Sequence, residues 1–275
     1  MPVAVDSYRR FPVPPSLAGV AEHAWVARHA RGREHVEVLL PDGRGLLQVV
    51  RGSGGSLVEP LTGARTADRD GVRSAWTHAV VAEQSGPVAR LGVQLHPAGL
   101  ARLREGRTQA DTWLPLREVL DDGTAARAGE LLADGADDEA VATVLGALAV
   151  APRRSGADLD HLDEALAFID ERRGLVRATD VAREVGTSLG ELHRWCSQLL
   201  GMSPAQYLSA VRFSTFVREA VGTGPVDAAA TVAAMEWYVA AGYSAREVER
   251  FAGLPPVELR RLAERLAQRL GPVRH

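Results

Sequence analysis

The sequence predicts an α+β protein, with a β-rich N-terminal region followed by an all-α C-terminal region. Two observations carry this. Up to about residue 95, short Val- and Leu-rich runs alternate with Gly- and Pro-containing turn signals. After Pro97 the apolar spacing changes to the three-to-four-residue period of helices, and caps and glycine turns recur from residue 159 onward. A chain of 275 residues has material for two cores. The expected division is a β-rich domain over 1–120, a helical connector and linker over 121–158, and a helical domain over 159–275.

In chain order, "HVEVLL" (35–40) and "LLQVV" (46–50) flank "PDGRG", which predicts a hairpin with its turn at Asp42-Gly43. "WTHAVVAE" (76–83) and "VARLGVQL" (88–95) flank "QSGP" and predict a second hairpin. "RGSGGS" (51–56) is a loop. Leu100 and Leu103 suit a short helix that ends at Gly106. From Trp113 the chain reads as helical, with two Ala/Leu-rich segments separated by Gly135; the acidic run "DDGTAARAGELLADGADDE" reads as a solvated connector. "APRRSGAD" (151–158) is the linker candidate, and "LDHLDEALAFIDERRG" opens a new amphipathic helix.

The densest punctuation lies in "GTSLGELHRWCSQLLGMSPAQY" (186–207). Before it, Thr179-Asp180 caps a short helix, "VAREV", with Val181 and Val185 on one face. Gly186 suits a tight turn, and Ser188 with Glu191 forms a capping box for a second helix from Leu189. Two short helices around a glycine turn make a helix-turn-helix. At 100° per residue, Leu189, Leu192, Trp195, Cys196 and Leu199 share one arc, which predicts core. Gly190, His193, Arg194, Ser197 and Gln198 share the opposite arc. An arginine fork there can meet guanine O6 and N7 in a major groove. Gly201 ends the second helix, Ser203 caps the next, and that helix is long, breaking at "GTGP".

The spacing Ser188, Leu192, Arg194, then Gly201, Ser203, Pro204, Tyr207, Arg212 resembles the AraC-type DNA-binding domain. One position departs from that pattern: Cys196 stands where an aromatic follows the motif arginine. The resemblance implies two helix-turn-helix units joined by a long helix, each presenting a recognition helix to double-stranded DNA. Two registers are open for the second unit. In one, "DAAATVAAMEW" supports a recognition helix "VAAGYSAREVERFA" carrying Arg246 and Arg250. In the other, "SAREVERFAG" supports "PVELRRLAERLAQRL", which carries Arg260 and Arg261. The candidate DNA-contacting set is therefore Ser188, Gly190, Glu191, His193, Arg194, Ser197, Gln198, Ser203, Arg246, Arg250, Arg260 and Arg261.

"VLLPDGRGLLQVV" and "GVQLHPAGLARL" resemble the β-rich N-terminal domain of unknown ligand found in some bacterial AraC-type regulators. That implies a sensor or dimerisation domain, so a small-molecule effector, a homodimer, and RNA polymerase for an activator become expected partners. Trp25, Trp76 and Trp113 are the candidates to line a ligand pocket.

Composition bounds the alternatives. All 32 basic residues are arginine. Residues 1–170 carry 18 arginines against 24 acidic residues and residues 171–275 carry 14 against 11, so the mild basic excess sits in the helical domain. A single cysteine, Cys196, excludes an internal disulfide and any thiolate cluster. The spacing of His23, His29 and His35 matches no paired ligand set, and neither metal nor cofactor is expected. No nucleophile-elbow, zinc-protease, phosphate-loop or dinucleotide motif occurs, so the expectation is not an enzyme. There is no charged start with a long apolar run and no membrane-length apolar stretch, which points to the cytoplasm. Two rival readings are a helical protein-interaction module and a small-molecule-binding protein without DNA readout.

Overall fold

The computed structural model describes residues 7–29, 34–59, 62–221 and 228–252. Ten strands come first: β1 (Ser7–Pro12), β2 (Ala21–His29), β3 (Glu34–Leu39), β4 (Leu46–Gly52), β5 (Gly55–Val58), β6 (Arg65–Ala67), β7 (Gly71–Arg73), β8 (Val80–Ser85), β9 (Val88–Leu95) and β10 (Trp113–Leu114). Helix α1 (Gly99–Leu103) lies between the last two, and α2 (Asp122–Ala133) and α3 (Asp137–Val150) follow. The C-terminal region holds α4 (Ala157–Glu171), α5 (Ala178–Glu184), α6 (Leu189–Trp195), α7 (Pro204–Val221), α8 (Ala228–Ala240) and α9 (Ala245–Ala252). The α+β class is as the sequence predicts.

The strands form two antiparallel sheets, ordered β1-β2-β9-β4-β7-β10 and β3-β8-β5-β6. Neither predicted hairpin forms. β3 pairs with β8 while β4 pairs with β9 and β7; likewise β8 pairs with β3 and β5 while β9 pairs with β2 and β4. The four strands of these hairpins form, but their turns are corners that carry the chain from one sheet to the other. The physical reason is burial. Leu47 and Val49 on β4, and Leu91 and Val93 on β9, bury one face against α2 and α3. Only partners within the same sheet keep that face continuous.

The acidic segment after Asp121 is not a solvated connector. Helices α2 and α3 form an antiparallel pair whose inner face, including Leu131, Leu132, Val141, Val144 and Leu148, shares the core of the six-stranded sheet. Its acidic residues lie on the outer turns, where Asp138 pairs with Arg9 and Asp137 with Arg28. Burying each such Leu or Val contributes roughly 1.5–3 kcal/mol, so the pair is an integral layer. Trp113 and Leu114 form the edge strand β10 instead of opening a helix.

The linker prediction corresponds to an irregular stretch before α4, and that stretch is tied down. The Arg154 amide donates to the Arg102 carbonyl, and the Arg153 guanidinium donates to the carbonyls of Ser16, Leu148 and Ala149. The helical region builds a core from Leu162, Leu166, Ile169, Val181, Leu192, Trp195 and Tyr207, joined by Ala75, Ala98 and Ala101 of the β-rich part. A third cluster packs Phe213, Val217, Met235, Tyr238, Val248 and Phe251 between α7, α8 and α9. Among the described residues, no helix is long and apolar enough to cross a membrane.

Candidate functional site

Helix α5 starts at Ala178, one residue before the predicted cap pair. Arg177 is the cap position, and Asp180 in the first turn accepts from the Arg177 amide (3.4 Å). Gly186 takes φ +65°, which a side chain would resist, and this turns the chain into α6. The Ser188 hydroxyl accepts from the Glu191 amide (3.1 Å), as predicted. Glu191 does not close the second half of that box, because its carboxylate is taken by Arg194.

The two arcs of α6 separate as read, with one exception. Leu192, Trp195, Cys196 and Leu199 are buried. Leu189 is 47% exposed, because the first turn of α6 projects beyond the core. The helix then widens into a π turn over Cys196–Leu200 and stops at Gly201, whose φ is +76°. Burial pushes the Cys196 thiol up to about 12, so it is a core group in which the reactive thiolate is scarce.

On the outer arc, Gly190, His193 and Gln198 are exposed and Ser197 is half-buried, with its hydroxyl 3.2 Å from His193 Nδ1. Arg194 is engaged. Its Nη1 and Nη2 make a two-pronged contact to Asp158 (2.9 and 3.0 Å), and its Nε and Nη2 reach Glu191 Oε2 (2.9 and 2.7 Å). Asp158 also accepts from Trp195 Nε1 (2.9 Å), and the His161 ring stacks on Trp195. Hydrogen bonding from Arg194 lowers the Asp158 carboxyl, while Asp158 and then Glu191 hold the guanidinium above its ordinary value. Asp158 is the residue that sequence reading missed, since it was taken as the end of a linker. It lies in the first turn of α4, 36 positions from its partner.

Ser203 caps α7: its hydroxyl and amide both contact Gln206 Oε1, and it accepts from the Gln206 amide. The motif arginine Arg212 is a structural node. It donates to Tyr238 Oη (3.1 Å), to the Gly174 carbonyl (3.0 Å) and to Ser209, and it pairs with Glu247. These bonds hold α8 and α9 on α7.

The described part of the second unit corrects one of its two registers. Residues 239–252 are not one helix: α8 ends at Ala240, Gly242 takes φ +93°, and α9 begins at Ala245. The described part of α9 lies within "SAREVERFAG" and starts one residue after its Ser244. Val248 is buried as the fourth residue of α9, as Val181 is buried as the fourth of α5. Arg246 is exposed on α9, and Arg250 lies in the same helix. Arg260 and Arg261 lie outside the described residues.

The β-rich part holds a half-open cavity of about 320 Å³ between its two sheets. Alternate residues of the six-stranded sheet face it: Trp25 on β2, Arg90 and Gln94 on β9, Leu46 and Gln48 on β4, and Arg73 on β7. Leu39 and Leu57 close it from the other sheet, and Asp42, Arg44 and Arg218 of α7 also line it. Trp25 lies over Gly92, where a Cβ would collide with its ring. Trp76 is buried beneath the Arg73 guanidinium, and Trp113 packs against Gly71. Of the three tryptophans, Trp25 alone is among the cavity-lining residues.

Residues at this cavity also join the two regions. Arg44 donates to Glu22 (2.7 Å), to Asp170 of α4 (2.6 Å) and to the Asp42 carbonyl. Tyr207 donates to Asp170 (3.2 Å), and its ring covers Gly43, whose φ is +76°. Arg218 pairs with Asp42 (2.7 Å). The Thr108 amide donates to the Gln198 carbonyl (2.9 Å) in the middle of the π turn.

No known family profile matches the sequence, and no curated protein does. Over most of its length the chain is similar to solved structures. ToxT from Vibrio cholerae O395 is 9% identical with a TM-score of 0.43, covering 92% of this chain and 97% of that one. Unsaturated-fatty-acid-bound ToxT from Vibrio cholerae strain SCE256 is 10% identical with a TM-score of 0.42, covering 94% and 95%. The AraC-like transcriptional activator CuxR is 13% identical with a TM-score of 0.24, covering 76% and 94%.

Proposed function

We propose that the chain is a sequence-specific DNA-binding transcriptional regulator, in which α6 is the recognition helix of the first of two helix-turn-helix units. One observation carries this reading: α6 is a capped helix packed on the core by Leu192, Trp195, Cys196 and Leu199, while Gly190 and His193 stand exposed on its other side. The motif positions resembling the AraC-type domain support it, because Gly201, Ser203, Pro204, Tyr207 and Arg212 terminate, cap or brace helices.

Gly190 lets the backbone approach the base edges, and His193 contacts a base or a phosphate. Arg194 presents to Asp158 the same planar fork that would meet guanine O6 and N7. Exposed ion pairs are weak restraints, so DNA can displace Asp158. For the second unit, α9 is the supporting helix, which favours the sequence register that assigns Arg260 and Arg261 to DNA contact. The start of α9 at Ala245, after the turn at Gly242, supports this register. Residues 1–120 form the regulatory domain, acting through a small-molecule effector or by pairing two chains, and 159–275 form the DNA-binding domain, in the cytoplasm.

Selection of genomic fragments bound by the full chain, followed by fluorescence anisotropy at increasing salt, tests the proposal. DNA affinity is expected to fall steeply with salt as counterions are released at phosphates. A helical protein-interaction module would select no duplex sequence.

A further inference from the structure

Among the described arginines that line the cavity, Arg73 is the one whose buried guanidinium has no bonded carboxylate; Arg10, which also lines it, lies exposed on β1. We propose that the cavity is a binding site for a small organic anion, whose oxyanion head is received by Arg73 and whose body lies against Trp25, Leu39, Leu46 and Leu57. This deepens the sensor part of the function proposed above. It stands apart from the DNA readout, because binding to the cavity can be measured with no DNA present.

Three of the arginines lining the cavity have carboxylate partners in place. Arg44 holds Glu22 and Asp170, Arg90 holds Asp68 (2.6 Å), and Arg218 holds Asp42. Asp68 is further occupied by Gln48 (2.6 Å). Arg73 is different. Its Nε is buried with no hydrogen-bond partner, and its guanidinium lies 3.4 Å from the centre of the Trp76 ring, with the cavity beside it. Stacking on an aromatic face favours a cation but supplies no acceptor in the plane of its N–H groups. A buried guanidinium left this way is costly, and burial lowers its pKa to about 10, so it remains charged at neutral pH. Asp42, Asp68 and Glu37 act on Arg73 only through space, and a carboxylate or phosphate ester would supply the acceptors in the plane of its fork.

The sheet register sets the shape of the ligand. His23, Gln94, Leu46 and Arg73 form one row across β2, β9, β4 and β7. At about 4.8 Å per strand, that row spans roughly 14 Å. His23 at its far end also has a ring nitrogen, Nδ1, that is buried without a partner, and burial lowers its pKa to about 4, so it is neutral. Leu46 lies between, with Leu39 and Leu57 facing it from the second sheet. The row therefore suits a molecule with an anionic head, an apolar middle and room for one neutral polar group. A cavity of 320 Å³ is at the small end of ligand sites.

Isothermal titration of the full chain with benzoate, phenyl phosphate and the neutral analogue benzamide tests this. At least one anion is expected to bind with a Kd below about 1 mM, and benzamide at least about tenfold more weakly, the factor that one lost charged contact readily produces. Tighter binding of benzoate assigns a carboxylic acid; tighter binding of phenyl phosphate assigns a phosphate monoester. Arg73→Met should abolish anion binding while leaving the circular dichroism spectrum intact, since a side chain of similar reach replaces an uncompensated cation. If that variant fails to fold, the contrast between benzoate and benzamide on the unaltered chain decides alone. The inference is overturned if benzamide binds as well as the anions, if folded Arg73→Met binds benzoate like the unaltered chain, or if neither anion binds at about 10 mM, a level far above the Kd of a built anion site.

Discussion

Replacing Arg44 with methionine should loosen the junction between the β-rich and helical regions. The guanidinium donates to Glu22 at 2.7 Å and to Asp170 at 2.6 Å, and its own side chain is only 13% exposed. Removing one partner of a buried ion pair costs about 3–5 kcal/mol, because the other charge stays behind without compensation. Here the two stranded carboxylates keep 29% and 32% of their exposure, and Tyr207 still donates to Asp170. Solvent access reduces the expected loss to about 2–3 kcal/mol. Urea unfolding of Arg44→Met, Asp170→Asn and the double variant measures it. Since Asp170→Asn removes one of the stranded charges, the double variant should lose about 1–2 kcal/mol less than the sum of the single losses. Strict additivity would refute the reasoning, for it would mean that Arg44 and Asp170 do not act as a pair.

Two further outcomes follow from the buried titratable groups. With its pKa pushed up to about 12, Cys196 should react with iodoacetamide on the order of 10³-fold more slowly than free cysteine in the native chain; a native rate above that of free cysteine would show a reactive thiol instead of a core one. His23 is held neutral mainly by burial, with Arg10 and Arg218 adding to the effect, and its folded pKa of about 4 lies below the ordinary imidazole value. The unfolded chain therefore takes up this proton first as pH falls. The stability contributed by neutral His23 is complete above about pH 6.5 and is lost between there and about pH 4. Thermal unfolding of His23→Gln across that window should show a shallower decline than the unaltered chain, and parallel curves would contradict the assignment.

The helical half was legible because its determinants are local. Caps at Ser188 and Ser203, turns at Gly186 and Gly201, and the apolar arc through Leu192, Trp195, Cys196 and Leu199 each act within a few residues. Four of the ten described strands, β3, β4, β8 and β9, could be read as well, since alternation is local too. The other six, β1, β2, β5, β6, β7 and β10, were not, and the segment 51–56 read as a loop belongs partly to β4 and β5. The pairing of the four could not be read. Asp42-Gly43 and "QSGP" carry hairpin chemistry, yet both connections cross between sheets, because burial of β4 and β9 beneath α2 and α3 outweighs turn preference. The same limit hid the charge network: Arg44 meets Asp170 across 126 positions, Arg218 meets Asp42 across 176, and Asp158 meets Arg194 across 36. Nothing near these residues in the sequence marks their partners. Trp76 was singled out as a pocket residue for its aromatic ring, and it instead supports Arg73, whose importance appears only once two sheets enclose it.

The central claim is that the outer face of α6 reads bases, and sequence selection from a randomised duplex pool compares that face with its variants most directly. The unaltered chain should enrich one motif, and His193→Ala and Arg194→Ala should each relax the preference at one or two neighbouring positions while leaving the rest of the motif unchanged. Enrichment of the same motif with undiminished preference by all three proteins, or of none by the unaltered chain, would contradict the account.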